Sequence, residues 1–317
     1  MQKRVIVDTD TAGDDTQALV MALQSDRLTV EAVTVVAGNV EFDSEVENAK
    51  YTLDLIDRTD VPVYEGARRP LLKDWEHADQ IHGEGGLGGS LFPDTAIESA
   101  DGHAADVIVE TARESPGELS LLCIGPLTNV ALALRKEPEL GDLLDSVWVM
   151  GGNVNCLGNV TPAAEYNFWV DPDAAKRVLG DVDVTLVDWG LTLRHGTFEA
   201  DDLARFDAPE TPQSDFFETI TEQQRAVARE NDGVERVTLP DSLAAACLLA
   251  PELVAERGRY HVDVDEREGL TRGYSLVDVN GVLDEPANAT VVESVDGTLF
   301  RAMVAATLSG DSPESAL

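Results

Sequence analysis

Cysteine and lysine are both scarce in this chain. The three cysteines, Cys123, Cys156 and Cys247, are odd in number and have no paired spacing. They exclude a disulfide framework, offer no zinc-ligand pattern and suit a reducing cytoplasm. Cations of either kind are few: 5 lysines and 18 arginines face 60 acidic residues, for a formal net charge of −37. Such a surface excludes general affinity for nucleic acid or an anionic membrane, which carry the same sign. An acid-rich, lysine-poor composition fits a cytosol of high salt, where screening shortens the range of self-repulsion. The source reads as a salt-adapted organism, so no carboxylate is special merely for being acidic. Long apolar runs are missing too, none nearing the ~18 residues of a membrane span. The first ten residues, MQKRVIVDTD, turn acidic before a signal peptide could form. A soluble cytoplasmic protein is expected.

What is present is a core: 43% of the 317 residues are hydrophobic, too many for a disordered chain. Apolar, β-branched runs at residues 5–7, 30–36, 119–124, 146–150 and 182–187 predict buried strands. Helical patterns lie between them, at 16–24, 44–55, 104–114, 127–136 and 172–179. Strand alternating with helix implies crossover connections and a mostly parallel sheet flanked by helices. The glycine-rich stretch 82–90 reads as a mobile surface loop. Residues 201–240 read as polar and helical, 266–299 as turn-rich and β-like, and 298–308 as a last helix.

In a parallel sheet, ligands collect beyond the carboxyl ends of the strands. The segment VIVDTDTAGDD sits there, placing Asp8, Asp10, Asp14 and Asp15 within eight residues. Composition alone gives about 1.5 acids in such a window, so position says more than number. Crowded carboxylates repel one another, and a helix N-terminus relieves only about 0.3–1 kcal/mol per charge. Two readings follow. Either an oxygen-loving divalent cation, calcium or magnesium, gathers them, or they cap a solvated loop.

The segment Asp8-Thr9-Asp10-Thr11-Ala12-Gly13-Asp14-Asp15 resembles the DTDPGxDD signature of the nucleoside hydrolases, the inosine–uridine type of N-ribohydrolase. Thr11-Ala12 replaces the usual Pro-Gly. Further segments resemble that family in its order. These are Gly38-Asn39, the loop His82-Gly83-Glu84-Gly85-Gly86-Leu87-Gly88 (with Gly85 where Asp is common), and Gly125-Pro126-Leu127-Thr128-Asn129. The most specific is Met150-Gly151-Gly152 followed by Gly158-Asn159-Val160-Thr161-Pro162-Ala163-Ala164-Glu165-Tyr166-Asn167 and Asp171-Pro172. Pro240-Asp241 resembles the family's HDP segment without its histidine.

No repeat or linker divides the chain, so one domain is expected over residues 1–308, with a frayed tail at 309–317. The resemblance implies a Rossmann-like α/β fold and hydrolysis of the N-glycosidic bond of ribonucleosides. It implies calcium held by Asp10, Asp15, the backbone carbonyl of Thr128 and Asp241, with Asp10 as the base that activates water. Asp14, Asn39, Asn159, Glu165 and Asn167 would fix the ribose, Tyr166 would lie against it, and Asp8 would order the loop. His82 is the one histidine in a family position and so the candidate acid for the departing base. Gln223, Gln224 and Arg225 fall in the region from which the family contacts the base. Partners would be a small-molecule nucleoside and, in a homodimer or homotetramer, further copies. Pyrimidine nucleosides are favoured, since no pair of tryptophans is assignable to stack on a purine. The alternatives are another N-riboside, such as a purine nucleoside or nicotinamide riboside, and a non-catalytic, metal-stabilised ribose-binding protein.

Overall fold

The computed structural model describes residues 2–317. Its centre is the first strand, β1 (Lys3–Thr9), where Val5, Ile6 and Val7 are fully buried. A strand apolar on both faces must be covered on both. Val5 and Val7 join one core layer and Ile6 the opposite one. Around β1 lie β2 (Leu28–Val35), β3 (Val63–Glu65), β4 (Leu119–Cys123), β5 (Leu144–Met150) and β6 (Val184–Val187). All six are parallel, in the order β3-β2-β1-β4-β5-β6. The order reverses between β1 and β4, and a crevice opens at such a reversal.

The expected mostly parallel α/β sheet is therefore present, and it is wider than the sequence suggests. After a short ribbon of β7 (Thr197–Glu199) and β8 (Arg236–Thr238), β9 (Val254–Tyr260) forms the far edge. A hairpin of β10 (Val262–Val264) and β11 (Ser275–Val277) follows. The chain then returns as β12 (Ala289–Val295), parallel to β6 and antiparallel to β9. β9, with Glu256, Arg257 and Arg259 along it, lacks the look of a strand because it is an edge, and charges there discourage pairing with other chains.

Two helices bring the acids together. α1 (Asp14–Gln24) and the helix Pro240–Leu249 pack against each other. Their sequences, DDTQALVMALQ and PDSLAAACLL, are rich in alanine and buried almost throughout, which lets the backbones approach closely. Both N-termini face the crevice, with Asp14 and Asp15 on one and Asp241 on the other.

Two expectations are corrected. The stretch 82–90 is not a loose surface loop. Gly86 O accepts from Gly13 N at 2.8 Å, Gly85 O accepts from Asn48 Nδ2 at 2.8 Å, and Leu87 is fully buried. Nor does the tail fray. Residues Pro313–Ala316 form a short 3-10 turn, Pro313 is buried and Glu314 accepts from Ser25. Short polar segments look free in sequence because their partners lie far along the chain.

Candidate active site

A cavity of about 600 Å³ opens at the carboxyl end of the sheet. Behind its lining residues Asp14, Asn39 and Ile124, Asp10 is fully buried, and neither of its carboxylate oxygens has a hydrogen-bond partner among the described residues. It is wedged between two strand-end glycines. A β-carbon on Gly38 would lie 2.0 Å from its Oδ2, and one on Gly125 would lie 2.7 Å from its Oδ1. Any other residue at either position would occupy the space of the carboxylate.

Asp15 is better satisfied, accepting from Thr9 Oγ1 at 2.6 Å and from Asn39 Nδ2 at 3.1 Å. Asn39 also donates to the carbonyl of Asp10, at 3.2 Å. Asp14 accepts from the backbone amide of Asp241 at 3.3 Å, while Asp241 Oδ1 is buried without a partner. Asp8 accepts from Thr34 Oγ1 at 2.6 Å and Asn129 Nδ2 at 2.8 Å, beneath the cluster.

Burial, more than mutual repulsion, holds these acids above their ordinary range. It raises Asp14 to about 6 and both Asp8 and Asp15 to about 7. Asp10 and Asp241 are raised well above the usual carboxylate value, by burial first and neighbouring carboxylates second. Asp15 is the nearest source of that repulsion for Asp10, and Asp14 for Asp241. Among the described residues no three acidic, histidine or cysteine side chains stand in a ready-made metal shell. The orphaned oxygens of Asp10 and Asp241 nevertheless fit a cation, since burying bare carboxylate oxygens unpaired is costly.

The side wall carries the carboxamides. Asn159 Oδ1 accepts from Tyr166 N at 2.9 Å, and Asn167 Nδ2 donates to Ile124 O at 3.0 Å. Glu165 caps the short helix Tyr166–Val170, accepting from Asn167 N at 2.9 Å and Gly152 N at 2.8 Å. Burial pushes its carboxyl up to about 7 against those donors. Its visible work is to hold Asn167. The Tyr166 hydroxyl lies 2.6 Å from Gly38 O and 2.8 Å from Glu76 O, so it braces the wall.

Thr128 does not join the site. It opens the helix Thr128–Lys136, its hydroxyl donates to Asp171 at 2.6 Å, and it does not line the cavity. Ile124, at the end of β4, does line it. The strand end, rather than the helix start, presents the backbone here.

Beyond the carboxylates, the cavity is bounded by Ile81, His82, Trp189, Leu193 and Pro240. Gln224, Val227, Ala228 and Asn231 of the helix Pro212–Asp232 complete it, with Arg236 and Thr238 of β8. Sequence reading reached His82, Gln224 and Pro240 and weighed Trp189 as a stacking residue, but missed the rest. The positions 224, 227, 228 and 231 do follow one helical face. Gln223 reaches only the backbone of Gln80, and Arg225 is buried against Asp207, so neither lines the cavity. Trp169, the other tryptophan the sequence offers for stacking on a base, does not line the cavity and carries the Arg272 guanidinium carbon 4.5 Å above its ring centroid. The His82 ring rests on Gly13, where a β-carbon would come within 2.3 Å of Nδ1. Burial lowers it to about 4, so it is neutral at pH 7.

Comparison with known proteins fits this geometry. Residues 5–302 match the family model described as inosine-uridine preferring nucleoside hydrolase. The chain belongs to that family. It is 36% identical over 310 residues to the pyrimidine-specific ribonucleoside hydrolase RihA of Enterobacter sp. (strain 638), covering 96% of this chain and 97% of the relative. Among solved structures it superposes on the plant nucleoside hydrolase PpNRh1 with a TM-score of 0.91 and 28% identity, over 98% of this chain and 99% of that one. The purine-preferring ribonucleoside hydrolase of Gardnerella vaginalis gives 0.89 and 30%, over 98% and 100%. This nucleoside hydrolase is accordingly an N-glycosyl hydrolase, and its reaction is cleavage of an N-ribosidic bond. No helix is long and apolar enough to cross a membrane among the described residues.

Proposed function

We propose that this nucleoside hydrolase cleaves ribonucleosides to free base and ribose, with pyrimidine nucleosides preferred and a calcium ion bound at the aspartate cluster. The observation that carries the reading is Asp10, buried with both oxygens unpartnered beside Asn39, which lines a cavity of nucleoside size together with Asp14 and Asp241. Asp10, Asp15 and Asp241 would hold the ion, with the Ile124 carbonyl in the place the sequence assigned to Thr128. An all-oxygen donor set suits calcium. When bound, the ion supplies a Lewis acid that lowers the pKa of a water and binds the ribose diol.

The chain's own groups account for the remaining chemistry. Asp10 takes the water's proton, as a carboxylate placed beside the attacking water can. Cleavage builds an oxocarbenium-like cation on the ribose, and the surrounding carboxylates favour positive charge there. Asp14, Asn39, Asn159 and Asn167 orient the hydroxyls, and Glu165 orients Asn167. Tyr166 braces the wall beside the sugar. His82, neutral at pH 7, offers the departing base an N–H hydrogen bond rather than a mobile proton.

Pyrimidine preference is supported by the likeness to RihA. It is also supported by the single indole at the base end, Trp189, with no second tryptophan to close a purine stack. The test is turnover of uridine, cytidine, inosine and adenosine in molar salt, with and without chelator. Faster inosine than uridine cleavage would reverse the preference, and full activity in chelator would remove the ion. No base release from any of the four would favour a ribose-binding protein instead.

A further inference from the structure

Glu45 is fully buried, lies beside the cluster, and has no part in the mechanism above. It stands in the first turn of α2 (Phe42–Leu55). Its Oε1 accepts from the backbone amides of Gly38 and Val40, both at 3.0 Å, so one oxygen gathers both sides of Asn39. Its Oε2 has no partner. The turn it gathers touches the catalytic site in three ways. Gly38 lies against the Asp10 carboxylate with no room for a β-carbon. Asn39 Nδ2 reaches both the Asp10 carbonyl and the Asp15 carboxylate. The Gly38 carbonyl accepts from Trp75 Nε1 at 2.8 Å and lies 2.6 Å from the Tyr166 hydroxyl.

We propose that Glu45 is a positioning residue: by clamping the 38–40 turn it sets the place of the Asp10 carboxylate and of Asn39. A side chain serving only to fill space there needs no acceptor. A helix cap would spend its oxygen on the amides of α2 itself. Glu45 instead reaches back to the two amides that flank the substrate-facing residue of the turn. The inference rests on the proposed reaction for its consequence, but the clamp itself is a matter of hydrogen bonds.

The experiment compares Glu45→Gln, which keeps the accepting oxygen, with Glu45→Met, which keeps the length and removes it. If the clamp positions Asp10, E45M loses about 30- to 100-fold in kcat on uridine with KM changed less than about threefold, because a misplacement near 1 Å costs that order of rate. E45Q stays within about threefold of the parent in both. In parallel, calcium is titrated by calorimetry: E45M binds at least about tenfold more weakly, since Asn39 no longer holds Asp15, and E45Q binds like the parent. The calcium arm reads the clamp even if no nucleoside is turned over, which separates its failure from that of the proposed function. If the parent binds no calcium, the kcat comparison alone decides. E45M with undiminished kcat and calcium affinity overturns the proposal. Equal losses in E45Q and E45M overturn it as well, assigning the effect to charge. An E45M that fails to fold assigns Glu45 to stability alone and also overturns it.

Discussion

The backbone amide of Asp241 donates to the carboxylate of Asp14, 227 residues earlier in the chain, at 3.3 Å. The cluster is thus shared between two helix N-termini rather than built on one loop. Its charges need a counterion from outside, because no lysine or arginine is paired with any of its members among the described residues.

Calcium should therefore change the sign of the pH dependence. Folded-state values of about 6 for Asp14 and about 7 for Asp15 lie above the ordinary carboxylate value. The chelated protein binds more protons folded than unfolded, so it loses stability as pH rises from about 4 to 7. Calcium requires the deprotonated forms, so its binding near pH 6 should release protons and raise the melting temperature. Calorimetry in buffers of different ionisation enthalpy measures the release. Binding enthalpies that do not vary with buffer would refute it.

Asp10→Asn should keep the fold and lose activity. The amide fits between Gly38 and Gly125 but cannot take a proton. A loss of at least about 10²-fold in kcat is expected, with circular dichroism unchanged. A variant that keeps more than about a tenth of the activity would remove Asp10 from the base role.

Gly125→Ala tests the same carboxylate from its other side. The added β-carbon would fall 2.7 Å from Asp10 Oδ1 and 2.9 Å from its backbone nitrogen. We expect a folded protein destabilised by about 1–3 kcal/mol whose kcat falls by about 10²-fold. Unchanged kinetics would mean the carboxylate is free to move without loss.

His82 carries a pH signature of its own. Its folded value of about 4 lies below the ordinary imidazole value because burial disfavours the charged ring. The unfolded chain binds the extra proton between about 4 and 6.5, so this residue's contribution makes stability rise with pH across that window. His82→Phe should flatten the slope there. On the kinetic side, His82→Ala should cost about 10- to 100-fold on uridine and far less on a nitrophenyl riboside, whose leaving group needs no help. Equal losses on both would confine His82 to ordering the loop against Gly13.

A formal charge of −37 should make the fold salt-dependent. Screening weakens self-repulsion, so raising potassium chloride from 0.1 M to 2 M should lift the melting temperature by about 5 °C or more. A flat response would remove salt adaptation as the reason for the acidic surface.

Asp8 through Asp15 were legible because a buried strand followed by acids and a helix fixes where the side chains emerge. The segment Asn159 to Asn167 was legible because its mixture of amides and a carboxylate suits a sugar. Thr128 was misplaced for a local reason: which carbonyl faces the crevice depends on where β4 ends and the next helix begins, a matter of one turn. Asn231 and Arg236 left little signal, since a face of the helix Pro212–Asp232 gains meaning only once Pro240 and Trp189 across the cavity are known. Glu45 was invisible among so many surface acids. Its burial follows from the path of the 38–40 turn, and no pattern in the sequence marks it.

The insertion of β12 between β6 and β9 has a consequence for how the chain is made. β9 leaves the ribosome before β12, with its neighbour in the sheet some 30 residues still to come. Until residue 295 has emerged, β6 remains an open edge on one side and β9 has nothing to pair with. Completion of the sheet is then a late, long-range event, and such events are slow and expose unpaired edges to other chains. The charges along β9 would guard the nascent protein during that interval, before they have any sheet to protect.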